Sequence, residues 1–465
     1  MKNAVKAVLT ISVLTGAAQA QTPDPAHLSL VAGYKAAFTC SAHFNAGRTV
    51  GEIAGDELSR IYPDYREAMA ALPEAAIDEG AKTVTVTFAD AFPPRVAQWR
   101  PHLGCVQYPS GTAEFSPPRI NLPAPKKNAD APWPQGEQTG DVLADAPYGF
   151  NLAGVVADAF DRATYGEGTE TTAVLVVEND RIVAEKYRDG FDAYTPQRTW
   201  SVAKSIAATV IGAAVEDGII AVDEPAGLKA WSFPGDPRAA IAVENLLQMA
   251  SGLTSPHAGN RTDDVYFGGG RVIDHAVTNR LAAEPGTVWR YANNDTMIAM
   301  RALRERINND KKFLEYPFRE ILHPLGMDRT FLETDWNGDF VMSSQVWTTS
   351  RDLARIGLLY LNDGVWNGKR ILPQGWAAYV SAPAPAQPPV ERADGSQIPG
   401  YGAQFWLFGE RHGLPEGSYA AQGNRGQYLM IIPSRNVLIV RRGFDDGGGF
   451  DITRFSADVL TALGE

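Results

Sequence analysis

The sequence predicts an α+β fold, with an antiparallel sheet assembled from distant parts of the chain and covered by helices. Three observations predict it. "TAVLVVENDRIVAEKYR" (172–188) places two apolar strands around "END", the pattern of a hairpin. "QYLMIIPSRNVLIVRRG" (427–443) repeats the arrangement around "PSRN" near the far end of the chain. Between and after these hairpins, apolar residues recur at helical spacing, as in "WSVAKSIAATVIGAAVEDG" (200–218) and "DITRFSADVLTAL" (451–463). Strands at both ends with helices between them close into one sheet with helical cover.

The elements follow in order. Residues 1–20 have the make-up of a secretory signal: Lys2 and Lys6, the apolar run "AVLTISVLTG", and the small-residue site "AQA". That run is too short to span a bilayer, and no later stretch is long enough, so an exported, soluble and periplasmic protein is expected. Residues 21–118 form a mixed segment: "HLSLVAGYKAAFTC" has helical spacing, "GDELSRIY" resembles the start of a second helix, and "KTVTVTF" (82–88) alternates as a strand. It carries no catalytic pattern. Residues 119–146 are Pro-rich and predict an irregular connector draped over the main domain, which occupies 147–465.

The chain has 465 residues, 45% of them hydrophobic, enough for a substantial core. Its net charge of −12 and lack of a basic patch exclude nucleic acid and anionic membrane surfaces as partners. Cys40 and Cys105 are the only cysteines. In an oxidising compartment they either join or remain two separate buried thiols, and spacing leaves both open.

The chemistry centres on Ser201 and Lys204, one helical turn apart and therefore facing the same way. A serine at the start of a helix sits at the positive end of the macrodipole, which favours a developing alkoxide. Burial lowers a lysine pKa so that a neutral amine can accept a proton. Ser201 is then a nucleophile and Lys204 its base. An N-capping serine with a solvated lysine would give the same spacing, and chance supplies about one S-x-x-K in a chain this long.

A second motif lies in "EPGTVWRYANND" (284–295), where a Pro-Gly turn and a short strand-like run lead to Tyr291-Ala-Asn293. The tyrosine can shuttle a proton between nucleophile, lysine and leaving group, and the Asn293 amide can bind lysine and substrate. The other Y-x-N, at Tyr360, closes a helical run and is assigned to packing. A third element, "YAAQGNRGQYLMIIP" (419–433), reads as strand, Gly-Asn-Arg-Gly turn, strand. Such an edge can bring a backbone N–H beside the nucleophile and complete an oxyanion hole with the N–H of Ser201.

Together with "VENLLQMASGL" (243–253), "HPLGMD" (323–328) and "TTSRDLARIGLLYLNDG" (348–364), these motifs resemble the serine β-lactamase-related hydrolases over residues 150 to 463. That family includes class C β-lactamases, D,D-peptidases, esterases and 6-aminohexanoate-dimer hydrolases. The resemblance implies the β-lactamase/D,D-peptidase-like α+β fold, an antiparallel sheet plus a helical region with the site between them. It also implies acylation of Ser201, Lys204 as base, Tyr291 as proton relay, and an oxyanion hole from the N–H groups of Ser201 and Asn424, beside Gly423. No cofactor and no metal are implied.

One departure matters. Where the family usually has Lys or His, then Thr, then Gly, this chain has Ala421-Gln422-Gly423, with no cation to bind a substrate carboxylate. This tilts the expectation from β-lactams and peptides toward a small-molecule amide or ester, a 6-aminohexanoate oligomer first. Arg425 is either a replacement charge or, as turn residues usually are, solvated. "GNRTDDVYFGGGR" (259–271) is expected at the pocket wall. G-x-S-x-G is absent, and the seven histidines show no zincin spacing. The rival from another class is a sensor that is acylated without turning over. The oligomeric state is not readable.

Overall fold

The computed structural model describes residues 24–464 except 124, 126–129, 140–148, 256–261, 393–394 and 447–448. The expected signal, 1–20, lies outside them. Helix α1 (Pro25–Ala46) starts where the Asp24 carboxylate accepts from the Ala26 N–H at 3.1 Å, with proline at its first position, and stops at left-handed Gly47. Helix α2 (Val50–Asp56) opens with a reciprocal capping box between Thr49 and Glu52.

The helix expected from Gly55 onward does not form. Asp56 ends α2, its carboxylate held by Arg48 at 2.6 Å and by Arg188 at 2.7 Å. Arg60 then adopts a left-handed backbone (φ 49°), and the chain re-enters a helix only at α3 (Pro63–Ala71). Strands β1 (Ala76–Asp78), β2 (Thr83–Val86), β3 (Arg95–Arg100) and β4 (Gly104–Gln107) follow as an antiparallel sheet in that order. Helix α1 lies across this sheet, and a disulfide joins its Cys40 to Cys105 of β4, with Cα atoms 6.1 Å apart.

The described part of the connector is irregular. It packs Trp133 into the core and sends Glu137 to Arg351 at 3.1 Å and Arg355 at 2.9 Å. The remaining elements are α4 (Gly149–Asp158), β5 (Thr171–Glu178), β6 (Arg181–Tyr187), β7 (Gln197–Arg198), α5 (Val202–Glu216), α6 (Val243–Leu247), α7 (Asp263–Tyr266), α8 (Val272–His275), α9 (Asn293–Ile307) and α10 (Asp310–Pro317). After them come β8 (Phe331–Leu332), β9 (Val346–Thr348), α11 (Ser350–Leu361), β10 (Val365–Trp366), β11 (Lys369–Arg370) and α12 (Trp376–Ser381). Last are β12 (Gly400–Tyr401), β13 (Trp406–Phe408), β14 (Ser418–Gly423), β15 (Gln427–Ile432), β16 (Val437–Gly443) and α13 (Ile452–Ala462). No strand forms at 287–290, because the backbone there bonds singly to a loop, as where the Arg290 N–H reaches the Met249 carbonyl at 2.7 Å.

The main sheet is antiparallel and runs β12-β13-β14-β15-β16-β5-β6, so both expected hairpins meet in it through β16 and β5. Side-chain alternation explains why β5 is apolar throughout. Val174 and Val176 face α4 and α13 on one side, among Leu152, Val156, Phe455 and Val459. Leu175 and Val177 face the opposite core, which includes Ile206 and Val210 of α5 and Leu358 of α11. Helix α5 is buried on nearly all sides, which is why its apolar residues are not confined to one stripe. No described helix is long and apolar enough to cross a membrane.

The N-terminal unit, α1 to β4, meets the elements that follow it along a polar seam. Glu333 Oε1 accepts from Ser41 Oγ at 2.6 Å, Asn45 Nδ2 at 3.3 Å and the Cys105 N–H at 3.2 Å. Burial nonetheless pushes this carboxyl up to about 7. The sign follows directly: a raised folded-state pKa favours the fold at low pH, and that contribution is lost as pH rises from the unfolded value through 7. The loss is on the order of 3 kcal/mol. Glu333→Gln keeps an acceptor for all three donors and cannot ionise. Because Glu57, Asp295 and Asp335 are raised to about 7 in the same way, its urea midpoint is expected to decline less between pH 5 and pH 8 than that of the wild type, and an equal decline in both proteins would refute this account.

Candidate active site

The strand-to-helix junction sets the site. The Thr199 N–H bonds to the Val346 carbonyl at 2.8 Å, and β7 pairs with β9. Trp200 then takes a left-handed backbone (φ 50°), a costly conformation for a bulky residue, and turns the chain into α5 with Ser201 at its N-cap. The Ser201 side chain makes no capping bond; its hydroxyl lies 3.0 Å from Lys204 Nζ. Lys204 is 1% exposed, so neither half of the cap-and-solvated-lysine alternative describes this pair.

The amine has two further neighbours at 2.7 Å, the Asn293 side-chain oxygen and the Ser343 carbonyl. The ammonium donates to all three oxygens; in the neutral amine, Asn293 and Ser343, which can only accept, take its two N–H bonds and leave the lone pair for the Ser201 hydroxyl proton. Burial alone holds the Lys204 pKa well below the usual lysine range, which fits that assignment.

Tyr291 faces Ser201, whose hydroxyl works against the upward shift of the phenol, and its ring lies 4.9 Å from Lys204 Nζ. Burial raises its pKa, so the phenol stays protonated. An aromatic wall fixes the ring, with Trp406 stacked at 5.5 Å and Tyr401 edge-on at 6.1 Å. Asn293 opens α9, which is why it follows Tyr291 at a distance that lets both reach Lys204.

On the opposite side, the end of β14 presses against the nucleophile. A Cβ on Gly423 would fall 2.3 Å from the Thr199 carbonyl and 3.1 Å from the Ser201 nitrogen, so only glycine fits. Asn424 follows immediately. Among the described residues, neither its N–H nor that of Ser201 is given to a backbone carbonyl. Ser201, Lys204, Tyr291, Asn293, Gly423 and Asn424 are thus brought together. Tyr360 is packed in the core against Phe405, its hydroxyl 3.0 Å from Thr209 Oγ1.

The pocket in front of Ser201 has a volume of about 440 Å³. Tryptophans 200, 289 and 406 line it with Tyr62, Tyr266, Tyr291 and the Gln422–Asn424 edge, and no described lining residue is charged. Tyr62 belongs to the N-terminal unit and Tyr266 to the expected wall segment, whose residues 259–261 lie outside the described ones. Tyr266 Oη is 2.5 Å from Ser343 Oγ, and Arg198 donates to Ser344 Oγ at 2.7 Å.

Sequence reasoning missed Tyr62, Ser343 and the tryptophans. Only the tryptophans left a signal, since Trp200 and Trp289 sit directly beside the two motifs. Arg425 is neither solvated nor at the pocket: it is 7% exposed and turned toward the N-terminal unit.

Residues 156–441, well over half the chain, match the family model described as Beta-lactamase. The chain belongs to the beta-lactamase family. Members of this family are serine hydrolases, and the fold of the present one is the expected α+β type. The 6-aminohexanoate-dimer hydrolase of Paenarthrobacter ureafaciens is similar over 291 residues at 27% identity, covering 59% of this chain and 73% of that protein. Among solved structures, a family VIII carboxylesterase aligns with a TM-score of 0.55 at 16% identity, over 69% of this chain and 97% of that one. The octameric penicillin-binding protein homologue from Pyrococcus abyssi aligns with a TM-score of 0.51 at 19% identity, over 68% and 77%. These two likenesses concern the fold.

Proposed function

We propose that this protein is an exported serine hydrolase that cleaves a linear amide or carboxylic ester through an acyl-Ser201 intermediate. The observation that carries this is the buried Lys204 amine, with two acceptor oxygens at 2.7 Å and the Ser201 hydroxyl at 3.0 Å. Lys204 takes the Ser201 proton as Oγ attacks the substrate carbonyl. The N–H groups of Ser201 and Asn424 bind the oxyanion, and Tyr291 passes the proton to the leaving amine or alcohol. Water then attacks the ester, returning the acid and the free serine.

The uncharged aromatic pocket favours a neutral ester over a carboxylate-bearing β-lactam, and a separate ground, the 27% identical relative named 6-aminohexanoate-dimer hydrolase, points to an amide whose charged ends lie outside the described lining. A 6-aminohexanoate oligomer is the first substrate to try, with short-chain esters beside it. The disulfide and the signal-like residues 1–20 support export to the periplasm.

The test is mass spectrometry of the acid-quenched protein during turnover of p-nitrophenyl butyrate. A butyryl adduct on the Ser201 peptide with continued release of p-nitrophenol is expected. An adduct without turnover would identify an acylated sensor, and wild-type rates of p-nitrophenol release from a Ser201→Ala protein would refute the covalent route. Without a charged partner for a carboxylate, kcat/KM for a β-lactam should fall roughly 10–100-fold short of that for the ester.

A further inference from the structure

The turn that carries Asn424 is held from outside the hydrolase domain. Residues 424–426 join β14 to β15, and both Arg425 (φ 60°) and Gly426 (φ 78°) are left-handed. Glycine tolerates this, whereas an arginine held there is strained, and the surroundings must offset that strain. The offset is visible. Arg425 Nη2 donates to the Asp56 carbonyl at 2.9 Å and the Ser59 carbonyl at 3.1 Å, and the guanidinium lies 4.9 Å from the Phe444 ring centroid.

Those carbonyls belong to the end of α2 and the turn after it, where helical geometry leaves acceptors unpaired and gathers partial negative charge. The end of α2 is itself fixed, because the Asp56 carboxylate is shared by Arg48 of the N-terminal unit and by Arg188, just past β6. The same stretch of chain then reaches Tyr62 at the pocket wall.

We propose that Arg425 is a positioning residue: by clamping the 424–426 turn onto the end of α2, it sets the Asn424 N–H against Ser201 for the oxyanion. The N-terminal unit is then part of the catalytic apparatus, although none of its own residues reacts. This rests on the acyl-Ser201 mechanism. An oxyanion donor acts on the transition state more than on the bound substrate, so its displacement lowers kcat and leaves KM nearly unchanged.

The experiment compares wild type, Arg425→Ala and Arg425→Lys in two assays: steady-state hydrolysis of p-nitrophenyl butyrate, and the rate of phosphonylation of Ser201 by a p-nitrophenyl alkylphosphonate. Thermal unfolding establishes that each variant is folded. Arg425→Ala is expected to lose roughly 10–100-fold in kcat with KM within about twofold, and a similar factor in phosphonylation. Arg425→Lys, which can still donate to both carbonyls, should recover much of the loss, and it decides the matter if the alanine variant does not fold. Unchanged kcat in a folded variant, or a loss confined to KM, would overturn the proposal. A wild type that neither turns over nor is phosphonylated at Ser201 would remove the mechanism itself and the positioning role with it.

Discussion

Ser201→Ala and Lys204→Ala should each reduce kcat/KM for p-nitrophenyl butyrate by roughly 10⁴–10⁶-fold, and the double variant should be hardly worse than either alone. Groups that act as a unit show such non-additivity, because removing one leaves the other without a task. Lys204→Arg should be about as inactive as Lys204→Ala. A guanidinium keeps its proton at any working pH and cannot take one from Ser201. The wild-type pH profile supplies an independent check. The Lys204 pKa lies well below the usual lysine range because the amine is buried. Activity is therefore expected to rise with pH as the amine loses its proton, and to level off well below pH 10. A rising limb at the ordinary lysine pKa would mean that Lys204 is not the base. So would more than a tenth of wild-type activity in Lys204→Arg.

The second large effect concerns stability. The Cys40–Cys105 disulfide closes a loop between residues 65 apart in sequence and fastens α1 to β4. Loop-closure entropy assigns it about 4 kcal/mol. The double variant Cys40→Ala/Cys105→Ala should accordingly unfold at markedly lower urea than the oxidised wild type, and reductant should lower the wild-type midpoint to match it. Because the N-terminal unit packs Tyr34 and Phe38 on Phe267 and sends Arg95 to the Phe267 carbonyl at 3.3 Å, loosening it also loosens the pocket side. Hydrolytic activity should therefore be lost at lower urea as well. Coincident midpoints for the oxidised wild type and the double variant would refute the assignment.

Much of this architecture was legible in the sequence because its causes are local. The β5–β6 and β15–β16 hairpins declare themselves through apolar runs around turn residues, and both form where expected. Ser201 and Lys204 are linked by helical spacing alone, and Tyr291 and Asn293 by a two-residue step into α9. What was not legible depends on packing between distant segments. Ser343 offers Lys204 only a backbone carbonyl, which any residue type could supply, from 139 positions away.

Arg425 looked like a solvated turn residue because its partners, the Asp56 and Ser59 carbonyls, also carry no side-chain signature. The residues following Gly55 had a helical look, yet their local preference yielded to ion pairs that hold Asp56 at the end of α2. Whether Cys40 and Cys105 were joined was equally out of reach, since it depends on α1 lying across β4.

The pairing of β16 with β5 also bears on how the molecule is made. A nascent chain that has emerged as far as residue 436 already holds β5 and β6, but the inner edge of β5 has no neighbour until Val437–Gly443 follows. That edge is an apolar strand with unpaired backbone groups, the kind of surface on which incomplete chains associate. The sheet can therefore close only once Val437–Gly443 has been made, and until then Thr171–Glu178 is the segment that a holding chaperone would cover.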